Sequence, residues 1–326
     1  MFKKVSVFII VSFALLLSAC GSSGSSSEEN ASNYPENQIE VIVPFSSGGA
    51  SDLVSRTVAS EMENDLDVPL TITNQTGGSG ATGMLSLKNA QADGYTIGYV
   101  PVEMSMLDSL ELADITPSDY EFIGQLMTIP SAITVPADAP YDTIEEFVSY
   151  AEENPGEIQI GNSGTGSIWH IAAAAFAEEA GIDVEYVPYD GASPAVTALM
   201  GGHISAVSVS PSEVRGGVES GDLKVLGVMG EERDPELPDV PTMQEAGYDV
   251  SVAGWGGFVA PEGTPEEVLE PLRSSFKNAA ESEEFQQLMD DRGMIPAYKN
   301  GKEFSSYAEE QYDYFSELIP TIEINQ

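Results

Sequence analysis

Apolar and polar positions along this chain switch repeatedly between a strand period and a helix period. Ile39, Val41, Ile42 and Val43 form a short run of strand-favouring residues stopped by Pro44, the pattern of a buried strand. Beyond the small-residue loop Phe45–Gly49, Val54, Val58, Met62 and Leu66 recur every four residues on one helix face. Ser51 is the expected N-cap of that helix. A second strand at Leu70–Asn74, a short helix around Met84–Gln91 and a third strand at Tyr95–Val100 complete a βαβαβ unit, the generator of a parallel sheet.

The same alternation resumes after a break. Phe122–Met127 and Ala132–Val135 are apolar stretches separated near Pro130, where the chain can leave one domain for another. Thr143 with Glu146 makes a capping box for the next helix. Ile158–Ile160 predicts a strand, followed by the loop GNSGTG (161–166) and a helix capped by Ser167 and ended by Gly181. A strand at Val184–Val187, a helix opened by Ser193-Pro194, a strand at Ile204–Val209 closed by Ser210-Pro211, and Leu223–Met229 come next. A proline-rich segment, Pro235–Pro241, leads back towards the first domain near Gly247–Gly254. Thr264-Pro265 with Glu267 then caps a long helix through Ala280, and helices around Glu283–Asp291 and Lys302–Leu318 end the chain.

This order predicts an α/β protein of two lobes, each a mostly parallel sheet flanked by helices. Lobe 1 comprises residues 38–128 and 249–326, lobe 2 residues 129–248, and two hinge crossings join them. A cleft between such lobes is a common place for a small ligand. The pattern of strand, bare loop and capped helix occurs twice, after Val43 and after Ile160. Each puts unpaired N–H groups and the positive end of a helix dipole at one point, which suits an anion. A plain βα turn would read the same way, so the pattern alone leaves both open.

The N-terminus adds a location. Lys3 and Lys4 precede the apolar run Val5–Leu17, which has the form of a signal peptide over residues 1–19. Leu17-Ser18-Ala19-Cys20 resembles a bacterial lipobox, making Cys20 the expected lipidation site. Residues 20–37 are rich in Ser, Gly and Glu and read as a flexible tether. The mature protein is thus expected on the outer face of the cytoplasmic membrane, held by lipid. Cys20 is the single cysteine, so no intramolecular disulfide can form.

Charge narrows the partners. Twelve Lys and Arg stand against 53 Asp and Glu, a formal net charge of −41. That excludes the basic footprint of a nucleic-acid binder and suits a surface that works in salt.

Candidate catalytic chemistry is sparse. His170 lies among apolar helix neighbours and His203 follows Gly201-Gly202 at a helix end, so both read as structural. Neither has a metal-ligand spacing, and no metal or cofactor is expected. Gly78-Ser79-Gly80-Ala81-Thr82-Gly83 satisfies G-x-G-x-x-G, with Glu103 twenty residues on. The short helix after it and the position of Glu103 beyond Pro101 favour close backbone packing over a dinucleotide site. GNSGTGS (161–167) lacks the lysine of a P-loop. No Lys or Arg lies between Lys88 and Arg215, so an anion in the second lobe would be held by N–H groups, hydroxyls and dipoles.

Taken together, VIVPFSSGGASDLVSR (41–56), NQTGGSGATGMLSLKNAQADGY (74–95), Gly161–Ser167, VPYDGASP (187–194), PTMQEAG (241–247) and WGGFVAPEGTP (255–265) stand in a recognisable order. The chain resembles the extracytoplasmic solute receptors of tripartite tricarboxylate transporters, the Bug receptors. The resemblance implies a type II periplasmic-binding-protein fold, a monomeric clamp without catalysis that delivers a small carboxylate to a two-component membrane permease. The expected ligands are di- and tricarboxylates, acidic amino acids and aromatic acids.

By resemblance the binding residues are Phe45, Ser46, Ser47, Gly48, Gly49 and Ser51 in the first loop, and Ser163, Thr165, Gly166 and Ser167 in the second. To these it adds Asp190, orienting the loop or a ligand hydroxyl or amine, and the strand end from Ser208 to Ser210. The first loop departs from the family's commoner pattern, with Ser46-Ser47 in place of Ala-Pro and Ala50-Ser51 in place of Gly-Thr. The competing expectations are an exported hydrolase using a hydroxyl of the 161–167 loop, and a surface adhesion module.

Overall fold

The computed structural model describes residues 34–189 and 191–322. The signal segment, Cys20, all but the last residues of the tether, and Asp190 lie outside the described residues. Strands run in chain order as β1 (Ile39–Val43), β2 (Leu70–Asn74), β3 (Thr96–Pro101), β4 (Tyr120–Pro130), β5 (Ala132–Pro136), β6 (Gln159–Asn162), β7 (Glu185–Pro188), β8 (Ala206–Val209), β9 (Leu223–Val228), β10 (Ala253–Pro261) and β11 (Ile295–Asn300). They form two sheets, one in the order β11-β4-β10-β3-β1-β2 and one in the order β7-β6-β8-β5-β9.

Both sheets are mixed, which corrects the expectation of mostly parallel ones. β1 runs parallel to β2 and β3, but β10 is antiparallel to β3 and β4, and β11 is antiparallel to β4. The reason lies in the crossings. The chain leaves the first sheet along β4 and returns along β10, so these neighbours must run in opposite directions. β5, the first strand after the exit, is likewise antiparallel to β8 and β9, while β6 keeps parallel partners in β7 and β8. At the crossings the Ser131 N–H donates to Val252 (3.1 Å), the Met229 N–H to Ser131 (2.7 Å) and the Val252 N–H to Met229 (3.0 Å), a closed ring of three carbonyls.

The helices are α1 (Ala50–Leu66), α2 (Ala81–Lys88), α3 (Ile144–Glu153), α4 (Ile168–Ala180), α5 (Ala192–Met200), α6 (Pro211–Ser220), α7 (Glu266–Ala280), α8 (Glu283–Arg292) and α9 (Gly301–Leu318). The periodicity placed most of these; α6, β10 and β11 do not stand out in it, β10 because its glycines interrupt the apolar run. Thr264 is not the cap of α7: its hydroxyl donates to the Pro261 carbonyl at 2.8 Å, and Pro265 takes the N-cap position.

Two features hold the layers. α4 is apolar around nearly its whole circumference, with Ile168 through Ala177 all buried, as befits a helix inside a hydrophobic core. In the first sheet every residue of β10 is buried. Gly256 there lies directly against the Tyr99 hydroxyl, where no Cβ would fit. α9 closes the first sheet by setting Phe304 edge-on to Phe122 (4.9 Å) and to Trp255 (5.4 Å).

Candidate functional site

The loop after β1 is shaped by an acid rather than by its serines. Asp52 is 1 % exposed. Its carboxylate accepts from the Gly48 N–H (2.8 Å), the Ser47 hydroxyl (3.2 Å), Arg56 Nε (2.9 Å) and Asn74 Nδ2 (2.8 Å). Burial opposes the charge, yet the hydrogen bonds from Arg56, Gly48 and Asn74 outweigh it and hold the carboxyl well below the usual range. Asn74 also donates to the Phe45 carbonyl at 2.9 Å, pinning the loop's start to β2.

The N-cap of α1 is therefore Gly49, not Ser51. Asp52 caps backwards from the first turn, and Ser51 lies inside the helix. Gly48 and Ser47 are thus partly committed to Asp52. Ser46, Ser47, Gly48 and Gly49 are exposed, and Phe45 and Ser51 half-buried. The donors left open at this end are the first N–H groups of α1.

The second loop follows the expected local chemistry. Ser167 caps α4 by accepting the His170 N–H at 3.2 Å, and Asn162 Oδ1 accepts the Gly164 N–H at 2.9 Å. His170, 4 % exposed, accepts the Gly166 N–H on Nδ1 at 3.1 Å. Burial pushes its pKa down, so the ring is neutral with its proton on Nε2, beside Tyr186 at 5.1 Å. The imidazole is spent on shaping the loop. With Nδ1 occupied by Gly166 and the Ser167 hydroxyl occupied by the helix, no Ser–His pair of a hydrolase forms. Ser163, Gly166 and Ser167 are half-buried and Thr165 is exposed. The Gly166 α-carbon faces Leu110, a Cβ there falling 3.9 Å from Leu110 Cδ2.

The strand end after β8 divides. Ser208 is fully buried with its hydroxyl on that of Ser131 at 2.9 Å, inside the second sheet. Ser210 caps α6, its hydroxyl and N–H both on Glu213 at 2.9 Å, with Pro211 at the first helical position. Burial pushes the Glu213 carboxyl up despite those bonds.

A cavity of about 200 Å³ joins these parts: Gly48 and Ala50 at the start of α1, Ser210 and Glu213 at the start of α6, Trp169 from α4 and Arg292 from the end of α8. Of the sequence-predicted residues that the structure describes, only Gly48 and Ser210 line it; Ser163 to Ser167 do not, and Ser208 is sealed off. Trp169, Glu213 and Arg292 were not anticipated. The S-P-S-E signature at 210–213 would have found Glu213. Gly83 of the glycine-rich turn packs tightly instead, with a Cβ there 2.8 Å from the Gln75 carbonyl oxygen and 2.9 Å from Pro44 Cα. Among the described residues no cluster of His, Cys, Asp and Glu could hold a metal, and no helix is long and apolar enough to cross a membrane.

Two helix-flanked sheets with double crossings and a cavity between two helix N-termini define a type II solute-binding receptor. Residues 54–324 match the model of the tripartite tricarboxylate transporter family receptor, and the chain belongs to that family. It is similar to a TctC solute-binding protein from Polaromonas solved without ligand: 35 % identity, 89 % of this chain and all of that one covered, TM-score 0.83. BugT of Bordetella pertussis is 27 % identical over 277 residues, 82 % of this chain and 83 % of that protein. MatC of Rhodopseudomonas palustris, solved with bound malate, is 25 % identical with TM-score 0.71, covering 88 % of this chain and all of that one. The family is one of substrate-binding receptors, not enzymes, and works outside the cytoplasm.

Proposed function

We propose that this receptor captures a small carboxylate between two lobes, residues 38–128 with 249–326 and residues 129–248, and hands it to a two-component membrane permease. Cys20 carries the lipid that keeps the monomer at the outer face of the cytoplasmic membrane. The observation that carries the carboxylate reading is a cavity onto which the N-termini of α1 and α6 both open. Two positive dipole ends with first-turn N–H groups favour one anion. The malate-bound relative supports the ligand class. The loop Phe45–Ser51 forms one jaw. Gly166 and its loop, Asp190 and Ser210 belong to the opposite one.

Thermal shift of the purified mature protein against citrate, malate, glutamate and benzoate tests this. A ligand that binds only the folded state raises the midpoint by mass action, so at least one carboxylate should stabilise it. Stabilisation by sugars or cations alone would overturn the reading.

A further inference from the structure

Most arginines of this acidic chain sit in ion pairs. Among the described residues Arg56 pairs with Asp52, Arg215 with Glu219 and Glu236, Arg233 with Glu245 and Arg273 with Glu266. Arg292, an exposed side chain, has no such partner among the described residues. Its neighbour Asp291 is engaged by Gln287 at 2.8 Å. Arg292 lines the cavity between the starts of α1 and α6.

Packing fixes that position. α8 ends at Gly293 in the left-handed conformation (φ 60°). Gly293 abuts α6, a Cβ there falling 3.2 Å from Arg215 Nη1 and 3.5 Å from Ser212 Cβ. The end of α8 is therefore held against the start of α6, with Arg292 at the cavity rim. A basic residue in a last helical turn also offsets the helix dipole, and that role alone would need no cavity.

We propose that Arg292 is the specificity residue that binds a second carboxylate of the ligand. The inference rests on the carboxylate-capture reading. One carboxylate meets the two helix N-termini; a second, carried further out, meets the guanidinium, whose planar fork matches it. Glu213, the acid in the same cavity, already accepts from Ser210 and cannot neutralise such a ligand. The guanidinium is the charge that offsets both it and the surrounding acidic surface. A monocarboxylate would leave Arg292 unused.

Titration calorimetry with succinate, malate and adipate against butyrate and hexanoate tests this on the mature wild type, Arg292→Gln and Arg292→Lys. The wild type should prefer the dicarboxylates. Arg292→Gln should bind them roughly tenfold more weakly while changing the monocarboxylates less than about twofold, and Arg292→Lys should recover part of the loss. An unchanged ligand-free thermal midpoint shows that α8 is intact. Should Arg292→Gln keep the full dicarboxylate preference, or the wild type have none, Arg292 is only a dipole-compensating residue and the inference falls while capture stands. If the wild type binds none of these acids nor any of the thermal-shift panel, the capture reading itself fails.

Discussion

Asp52 accepts hydrogen bonds from four directions while almost fully buried, and the backbone of the first loop bends to supply one of them. Asp52→Asn keeps the shape but removes the charge and turns one acceptor into a donor facing other donors. Roughly 2 kcal/mol of stability should be lost at pH 7, read as a lower urea midpoint with unchanged slope. The pH dependence has a definite sign. The folded carboxyl is held below its unfolded value of about 3.9, so its contribution is complete above that value and drains away as pH falls beneath it. The stability gap between wild type and Asp52→Asn should therefore be flat from pH 7 to about 4 and shrink below.

Gly49 makes the complementary test. Its backbone is ordinary (φ −77°, ψ 172°) and a Cβ would meet only the Ser46 carbonyl oxygen at 3.5 Å. Gly49→Val should cost no more than about 1 kcal/mol, the preference for Gly over Val at an N-cap, and weaken carboxylate binding, because side-chain bulk then stands before the first-turn N–H groups of α1. Unchanged affinity in calorimetry would exclude this loop as a contact.

At the scale of elements, the α4 loop depends on a histidine that looked merely apolar-faced. His170→Phe keeps the packing against Tyr186 but strips the acceptor from the Gly166 N–H, costing about 1–2 kcal/mol in urea unfolding. Burial depresses the His170 pKa, so below about 6.5 the unfolded chain takes up a proton that the folded one resists. Wild-type stability should decline through that window as pH falls, and His170→Phe should lack that component.

Strands β1 and β3 and helices α1 and α4 were legible because burial on one or all sides forces a clean apolar pattern, and the edge strand β2 because LTITN alternates strand-favouring residues. β11 was not, since IPAYKN is a partly buried edge strand containing Pro296. α6 hid behind Gly216, Gly217 and few apolar residues, although its cap was written in Ser210 and Glu213. Arg292 escaped for a different reason. The cavity takes residues from Gly48 to Met294, far apart in sequence, and only the fold brings them together.

On the whole molecule two electrostatic effects oppose each other as salt rises. Ion pairs such as Arg273–Glu266 and Lys224–Asp142 have at least one well-exposed partner and are worth about 0.2–1 kcal/mol each, which screening removes. Against them stands the mutual repulsion behind a net charge of −41. With 12 basic residues against 53 acidic ones, most carboxylates have no cation to lose, so repulsion dominates. Shortening the screening length from roughly 14 Å at 0.05 M to about 3 Å at 1 M NaCl should raise the thermal midpoint. KCl should act like NaCl, since screening depends on ionic strength and not on the cation. The Arg292 contact responds the other way, so the dicarboxylate preference should narrow over the same range while the fold becomes more stable. A midpoint that falls with salt would mean the ion pairs outweigh the repulsion, and the acidity would then need an explanation other than a saline setting.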